Sequence, residues 1–103
     1  MSSALCYSPY MRRAARLDGN QSVIVRALLD AGCSVQSLAM VGCGCPDLLV
    51  WSPVGRYILM EIKDPTQDPN KRQLRHSQRM FIKWWQCPIV IVETTEQALR
   101  AIA

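Results

Sequence analysis

The chain has 103 residues, half of them hydrophobic, and a formal charge of +4. That length suits one domain with a single core, and the apolar content argues against a disordered chain. No apolar run approaches a membrane span. The start, Met1-Ser2-Ser3-Ala4-Leu5-Cys6, has no basic segment leading an apolar one, so neither a signal peptide nor a membrane partner is expected, and the location expected is cytoplasmic.

Residues 1–17 are expected to be irregular, and a single domain is expected over 18–103. Asp18-Gly19-Asn20 offers helix-capping chemistry. Val23, Ile24, Ala27, Leu28 and Ala31 follow helical spacing, and Gly32 suits the position just past a helix end. A first helix is therefore expected at about 20–31. Ser34-Val35-Gln36-Ser37-Leu38 alternates and reads as a strand. Val41 to Pro46 is a loop rich in glycine. Leu48-Leu49-Val50-Trp51 and Tyr57-Ile58-Leu59-Met60 read as two strands joined by the tight connection Ser52-Pro53-Val54-Gly55-Arg56.

Asp64 to Asn70 is polar with two prolines and reads as a loop. Lys71 to Trp85 reads as one helix, with Leu74, Ser77, Met80, Phe81, Trp84 and Trp85 as its apolar stripe. Ile89-Val90-Ile91-Val92 is a short buried strand. Thr94 with Gln97 forms a capping-box pattern for a last helix carrying Ala98, Leu99, Ala101 and Ile102. The element order is αβββαβα.

Five cysteines at these spacings make no disulfide framework, which points to reduced thiols. Cys43-Gly44-Cys45 has no second pair to complete a tetrahedral set, so no structural zinc is expected.

The chemistry concentrates where the two central strands end. If Trp51 pairs with Tyr57 in an antiparallel ladder, Asp47 falls opposite Glu61 on the same face, roughly 4.5–5.5 Å apart at Cβ. Lys63, two residues beyond Glu61, points to that face too. Two carboxylates that close repel unless a cation or proton lies between them. The bland alternative is a surface salt-bridge cluster at a hairpin end. The charge distribution favours chemistry. Arg12, Arg13 and Arg16 cluster early, and Lys71, Arg72, Arg75, Arg79 and Lys83 crowd one segment with no acidic residue among them. Cations beside a carboxylate pair are what a metal site approached by a polyanion requires.

Pro46-Asp47, thirteen intervening residues, then Glu61-Ile62-Lys63, set in this element order, resemble the PD-(D/E)XK nuclease superfamily. More narrowly, residues 12–103 resemble a stand-alone VRR-NUC domain of the type found in bacteriophages. The resemblance includes the Asn20-Gln21 helix start, the Val41 to Asp47 loop, and Gln78 on the later helix. It implies an α/β restriction-endonuclease-like core with a mixed central sheet flanked by helices. It also implies a Mg²⁺- or Mn²⁺-dependent endodeoxyribonuclease in which Asp47, Glu61 and the backbone carbonyl of Ile62 hold the ion. Lys63 would hold the attacking water or stabilise phosphate charge, and Gln78 would orient water, Lys63 or a phosphate oxygen. Lys71, Arg72, Arg75 and Arg79 would contact phosphates, and Gly44 would allow close backbone approach to DNA. Many members of the superfamily carry a Glu on the first helix. This chain has none there, so Gln21 or Asp18 would take that place. No residue suggests reading of base edges, so recognition of DNA structure or backbone is expected. The resemblance further implies a homodimer acting on branched or flapped DNA; the surface of Met80, Trp84 and Trp85 is one candidate interface. The alternatives are a Holliday-junction resolvase and a catalytically silent nucleic-acid-binding module.

Overall fold

A computed structural model describes residues 19–103. Asp18, Arg12, Arg13, Arg16 and the expectation of an irregular 1–17 segment lie outside the described residues. The chain runs α1 (Gln21–Asp30), β1 (Ser34–Ser37), β2 (Leu48–Ser52), β3 (Arg56–Ile62), α2 (Pro69–Arg72), α3 (His76–Trp84), β4 (Ile89–Val92) and α4 (Thr95–Ala101). Helix α1 ends on Gly32 at φ +92°. Gly32 N–H donates to Leu29 O and Cys33 N–H to Leu28 O, both at 3.0 Å. This is the Schellman arrangement that a residue with no Cβ permits.

The four strands form one mixed sheet in the order β1-β2-β3-β4. The first three are an antiparallel meander, and β4 joins β3 in parallel. Trp51 pairs with Tyr57 as expected, and the ladder runs from Ser52↔Arg56 to Leu48↔Met60. A three-residue turn sets that register. Gly55 N–H donates to Ser52 O at 2.8 Å, and Gly55 takes φ +91°, a conformation that closes such a turn in step with strand twist.

Even-numbered residues of the central strands face the main core. Leu48, Val50, Ile58, Met60 and Ile62 pack there with Ile24 and Leu28 of α1, Val92 of β4, and Ala98 and Ile102 around α4. The opposite face carries Leu59 and Glu61, and α3 lies over it with Gln78 and Phe81 buried. Apolar burial at roughly 25 cal/mol per Å² holds the α1–sheet–α4 layer, and the chemistry sits on the other face.

The expected single helix over Lys71–Trp85 is divided. It begins earlier, because Asp68 accepts from Asn70 N–H at 2.9 Å and Pro69 occupies the first helical position; Pro there gives up only an N–H that has no intrahelical partner. It then breaks at Gln73 and Arg75, both extended. Glycine and proline are absent from this break, so periodicity cannot reveal it. One tertiary and one local contact accompany it: Arg72 pairs with Glu93 at 3.0 Å, while α3 restarts with a cap in which Gln78 Oε1 accepts from Arg75 N–H at 2.8 Å. The buried positions of α3 are Gln78 and Phe81, whereas Ser77, Met80, Trp84 and Trp85 of the expected stripe are exposed.

Asn20 differs from expectation as well. It stands at the start of α1 but makes no side-chain cap. Its Nδ2 donates to Lys63 O at 3.1 Å and to Glu93 O at 2.8 Å, tying the ends of β3 and β4 together. At α4, Thr94 accepts from Gln97 N–H at 3.1 Å, but Gln97 Oε1 accepts from Glu93 N–H rather than from Thr94.

Candidate active site

A cleft of about 350 Å³ opens where β2 begins and β3 ends. Asp47, Glu61, Ile62, Lys63 and Gln78 line it, together with Asp64, Gln67, Asn70, Lys71, Gln73 and Arg75. The antiparallel register brings the first of these together. Asp47 lies one residue before the ladder, its carbonyl accepting from Leu38 N–H at 2.8 Å. Its Oδ2 accepts from Ile62 N–H at 2.7 Å, so the carboxylate of one strand satisfies the main chain of the next.

Glu61 is a carboxylate only 4% exposed. Burying it alone would cost several kcal/mol. Gln78 Nε2 donates to its Oε2 at 2.9 Å, and Lys63 Nζ lies 3.3 Å from the same oxygen. Gln78 Oε1 then accepts from Lys63 Nζ at 3.2 Å and from Arg75 N–H at 2.8 Å. One amide thus bridges an anion and a cation, with its donor toward the acid and its acceptor toward the base. Lys63 is held by its backbone as well, its N–H donating to Val92 O at 2.9 Å and its carbonyl accepting from Asn20.

Gly44 takes φ +77°. A Cβ there would overlap the Ser77 carbonyl and come within 2.8 Å of Gln78 N. The absent side chain serves close approach to α3, within the protein itself. The loop before Asp47 therefore sets how α3, and with it Gln78, sits over β3.

The five basic residues separate into distinct positions. Lys71 and Arg75 line the cleft. Arg72 is committed to Glu93, and its buried Nε has no hydrogen-bond partner. Arg79 donates to Leu74 O at 2.8 Å, and Lys83 lies over the Trp84 ring, 5.6 Å from its centroid. Gln21 is 5% exposed with Oε1 unpartnered, and it is not among the residues lining the cleft.

Cys45 is half-buried beside the carboxylates. Burial, reinforced by the charges of Glu61 and Asp47 and by Cys43, pushes its thiol up to about 11. The Thr66 hydroxyl and N–H, at 2.7 and 2.9 Å, hold the exposed Asp64 carboxyl below the usual carboxylate range. Cys33, Cys45 and Cys87 are free thiols among the described residues. Among the described residues, no three His, Cys, Asp or Glu side chains are grouped to hold a metal, and no helix is long and apolar enough to cross a membrane.

Sequence reasoning missed the amide wall of the cleft (Gln67, Asn70 and Gln73), the Arg72–Glu93 pair and the Asn20 tie. Asp68-Pro69 was the readable signal for the wall, since it starts α2 and turns that segment toward the cleft. The other two link segments far apart in the chain and leave no local pattern.

No protein-family model matches the chain, and no curated protein matches it. Among solved structures, a chain described as a VRR_NUC domain is 27% identical, with a TM-score of 0.51. The alignment covers 80% of this chain and 88% of the other.

Proposed function

We propose that this chain, similar in fold to a solved VRR_NUC domain, is a metal-dependent endodeoxyribonuclease that hydrolyses phosphodiester bonds by recognising DNA structure rather than sequence. The observation that carries this reading is the meeting of Asp47, Glu61 and Lys63 in one cleft whose wall bears Lys71 and Arg75.

The donor set fits a hard cation. Asp47 and Glu61 offer carboxylate oxygens. Ile62, only 1% exposed, also lines the cleft, and its carbonyl is the third oxygen of the proposed set. Two carboxylates and a carbonyl leave the remaining positions to water, which suits Mg²⁺ or Mn²⁺ and not a closed thiolate zinc site. A divalent ion, when bound, supplies charge neutralisation and lowers the pKa of water at the phosphate.

The protein's own groups do the rest. The Lys63 ammonium stands beside Glu61, where it can hold the attacking water or take up charge on the phosphate oxygens. Gln78 keeps Lys63 and Glu61 in mutual register. Lys71 and Arg75 receive the flanking phosphates, Arg75 with a planar fork suited to them. One site cuts one strand, so a paired cut across a branched DNA needs two copies, most simply in a two-fold homodimer.

The test is a cleavage panel of linear duplex, flap, single strand and four-way junction, each with Mg²⁺, Mn²⁺ or EDTA. Cleavage is expected with either ion and not with EDTA. Asp47→Asn is the informative variant, because it keeps an oxygen for Ile62 N–H while removing the charge. It should fold normally and lose cleavage. Undiminished cleavage by Asp47→Asn would refute the assignment, and binding without cleavage by the wild type would favour a silent binding module. Preference for the four-way junction would favour the resolvase.

A further inference from the structure

We propose that the outer face of α3 is a track for a single strand of nucleic acid leaving the cleft, with Trp84 as its base-stacking platform. The strand's origin in the cleft rests on the hydrolytic reading, but the track stands on observations of its own. Helix α3 turns Gln78 and Phe81 inward and leaves His76, Arg79, Met80, Lys83 and Trp84 exposed. These positions recur at three- and four-residue intervals, so they form one stripe along the helix. The stripe begins beside Arg75 at the cleft wall and runs about 13 Å to Trp84.

Trp84 is 43% exposed, so its ring is accessible at the end of the stripe. Lys83 stands over this ring at 5.6 Å from its centroid, which places a cation beside the platform. Phe81 and Trp85 stack with centroids 5.0 Å apart. The segment from Lys71 to Lys83 contains no acidic residue. A second copy of this chain docking here would desolvate Arg79 and Lys83 against a face of the same sign, whereas a polyanion would pair with them. Bases in a duplex already stack on one another, so the platform suits unpaired bases.

The test is equilibrium binding of the full chain, in EDTA, to a fluorescent twelve-nucleotide single strand of thymidines and to a twelve-base-pair duplex. Trp84→Ala should weaken single-strand binding about tenfold and leave duplex binding within about twofold. Trp84→Tyr, which keeps a ring face, should restore most of the loss. Circular dichroism of each variant should match the wild type. Single-strand affinity unchanged in Trp84→Ala would overturn the proposal. So would light scattering showing a wild-type dimer converted by Trp84→Ala to a monomer, with both affinities falling together, because the face would then be a subunit contact. Binding is measured in EDTA, where no cleavage is expected, so the outcome does not depend on whether the chain hydrolyses DNA.

Discussion

Gln78 is the residue on which the polar side of the site depends, because its amide donates to Glu61 and accepts from both Lys63 and the Arg75 main chain. Gln78→Leu fills the same volume and leaves the buried Glu61 with one partner fewer. It should cost about 1–3 kcal/mol in urea denaturation and reduce kcat more than KM, since Lys63 would lose an orienting contact. Lys63→Met should be more damaging to stability, about 3–5 kcal/mol, because it removes the cation beside a buried carboxylate. Cys45 offers a pH readout. Its thiol ionises near 9.0 when unfolded and at about 11 when folded. The raised folded value means its contribution to stability is intact below the unfolded pKa and is lost as pH rises through the folded one. In the native metal-free protein at pH 8, iodoacetamide should therefore modify Cys45 far more slowly than the exposed Cys87, and guanidinium should abolish the difference.

At the scale of elements, the Gly44 loop and the start of α3 act as one unit. Gly44→Ala places a methyl against the Ser77 carbonyl and forces a left-handed backbone on a residue that disfavours it. A loss of about 2–4 kcal/mol in denaturation is expected, with activity falling beyond what the folded fraction explains, since α3 carries Gln78. Much of this level was legible in the sequence. The Pro53-Val54-Gly55 turn fixed the pairing of Trp51 with Tyr57, and alternation then placed Glu61 and Lys63 on one face. The β4 strand and the Thr94 cap were equally local signals. What was illegible is long-range. The break between α2 and α3 has no breaker residue, and the Arg72–Glu93 pair that accompanies it spans 21 positions. The apolar stripe read along that segment failed because buried Gln78 is polar and exposed Trp84 is not. Asn20 read as a cap because Asn favours helix starts, yet its amide serves two strand ends instead.

Across the whole molecule, the sheet separates stability from chemistry. One face holds the apolar layer of α1 and α4, and the other holds the ionic cluster under α3. Substitutions of exposed cleft residues, outside the Glu61–Lys63–Gln78 cluster, should therefore alter DNA affinity with little effect on folding. Lys71→Ala, at an exposed position on that wall, should leave denaturation within about 0.5 kcal/mol. It should also reduce the slope of log affinity against log salt by about one, as read from anisotropy titrations at several salt concentrations. An unchanged slope would place Lys71 outside the phosphate path. Arg72→Ala should behave oppositely, costing stability through Glu93 and leaving the salt slope nearly intact.

The Asn20 amide joins residues 43 and 73 positions away in the chain. Lys63 acquires its final position only when the chain's first described helix, its third strand and the residue after its fourth strand are all in place. Synthesis from the amino end delivers Glu93 last of these. An unfinished or carboxyl-truncated chain therefore carries every acidic residue of the cleft without a properly seated lysine. Fragments that end before Glu93 should therefore cleave DNA less well than longer ones even where β2 and β3 have paired, as a truncation series assayed for cleavage would show.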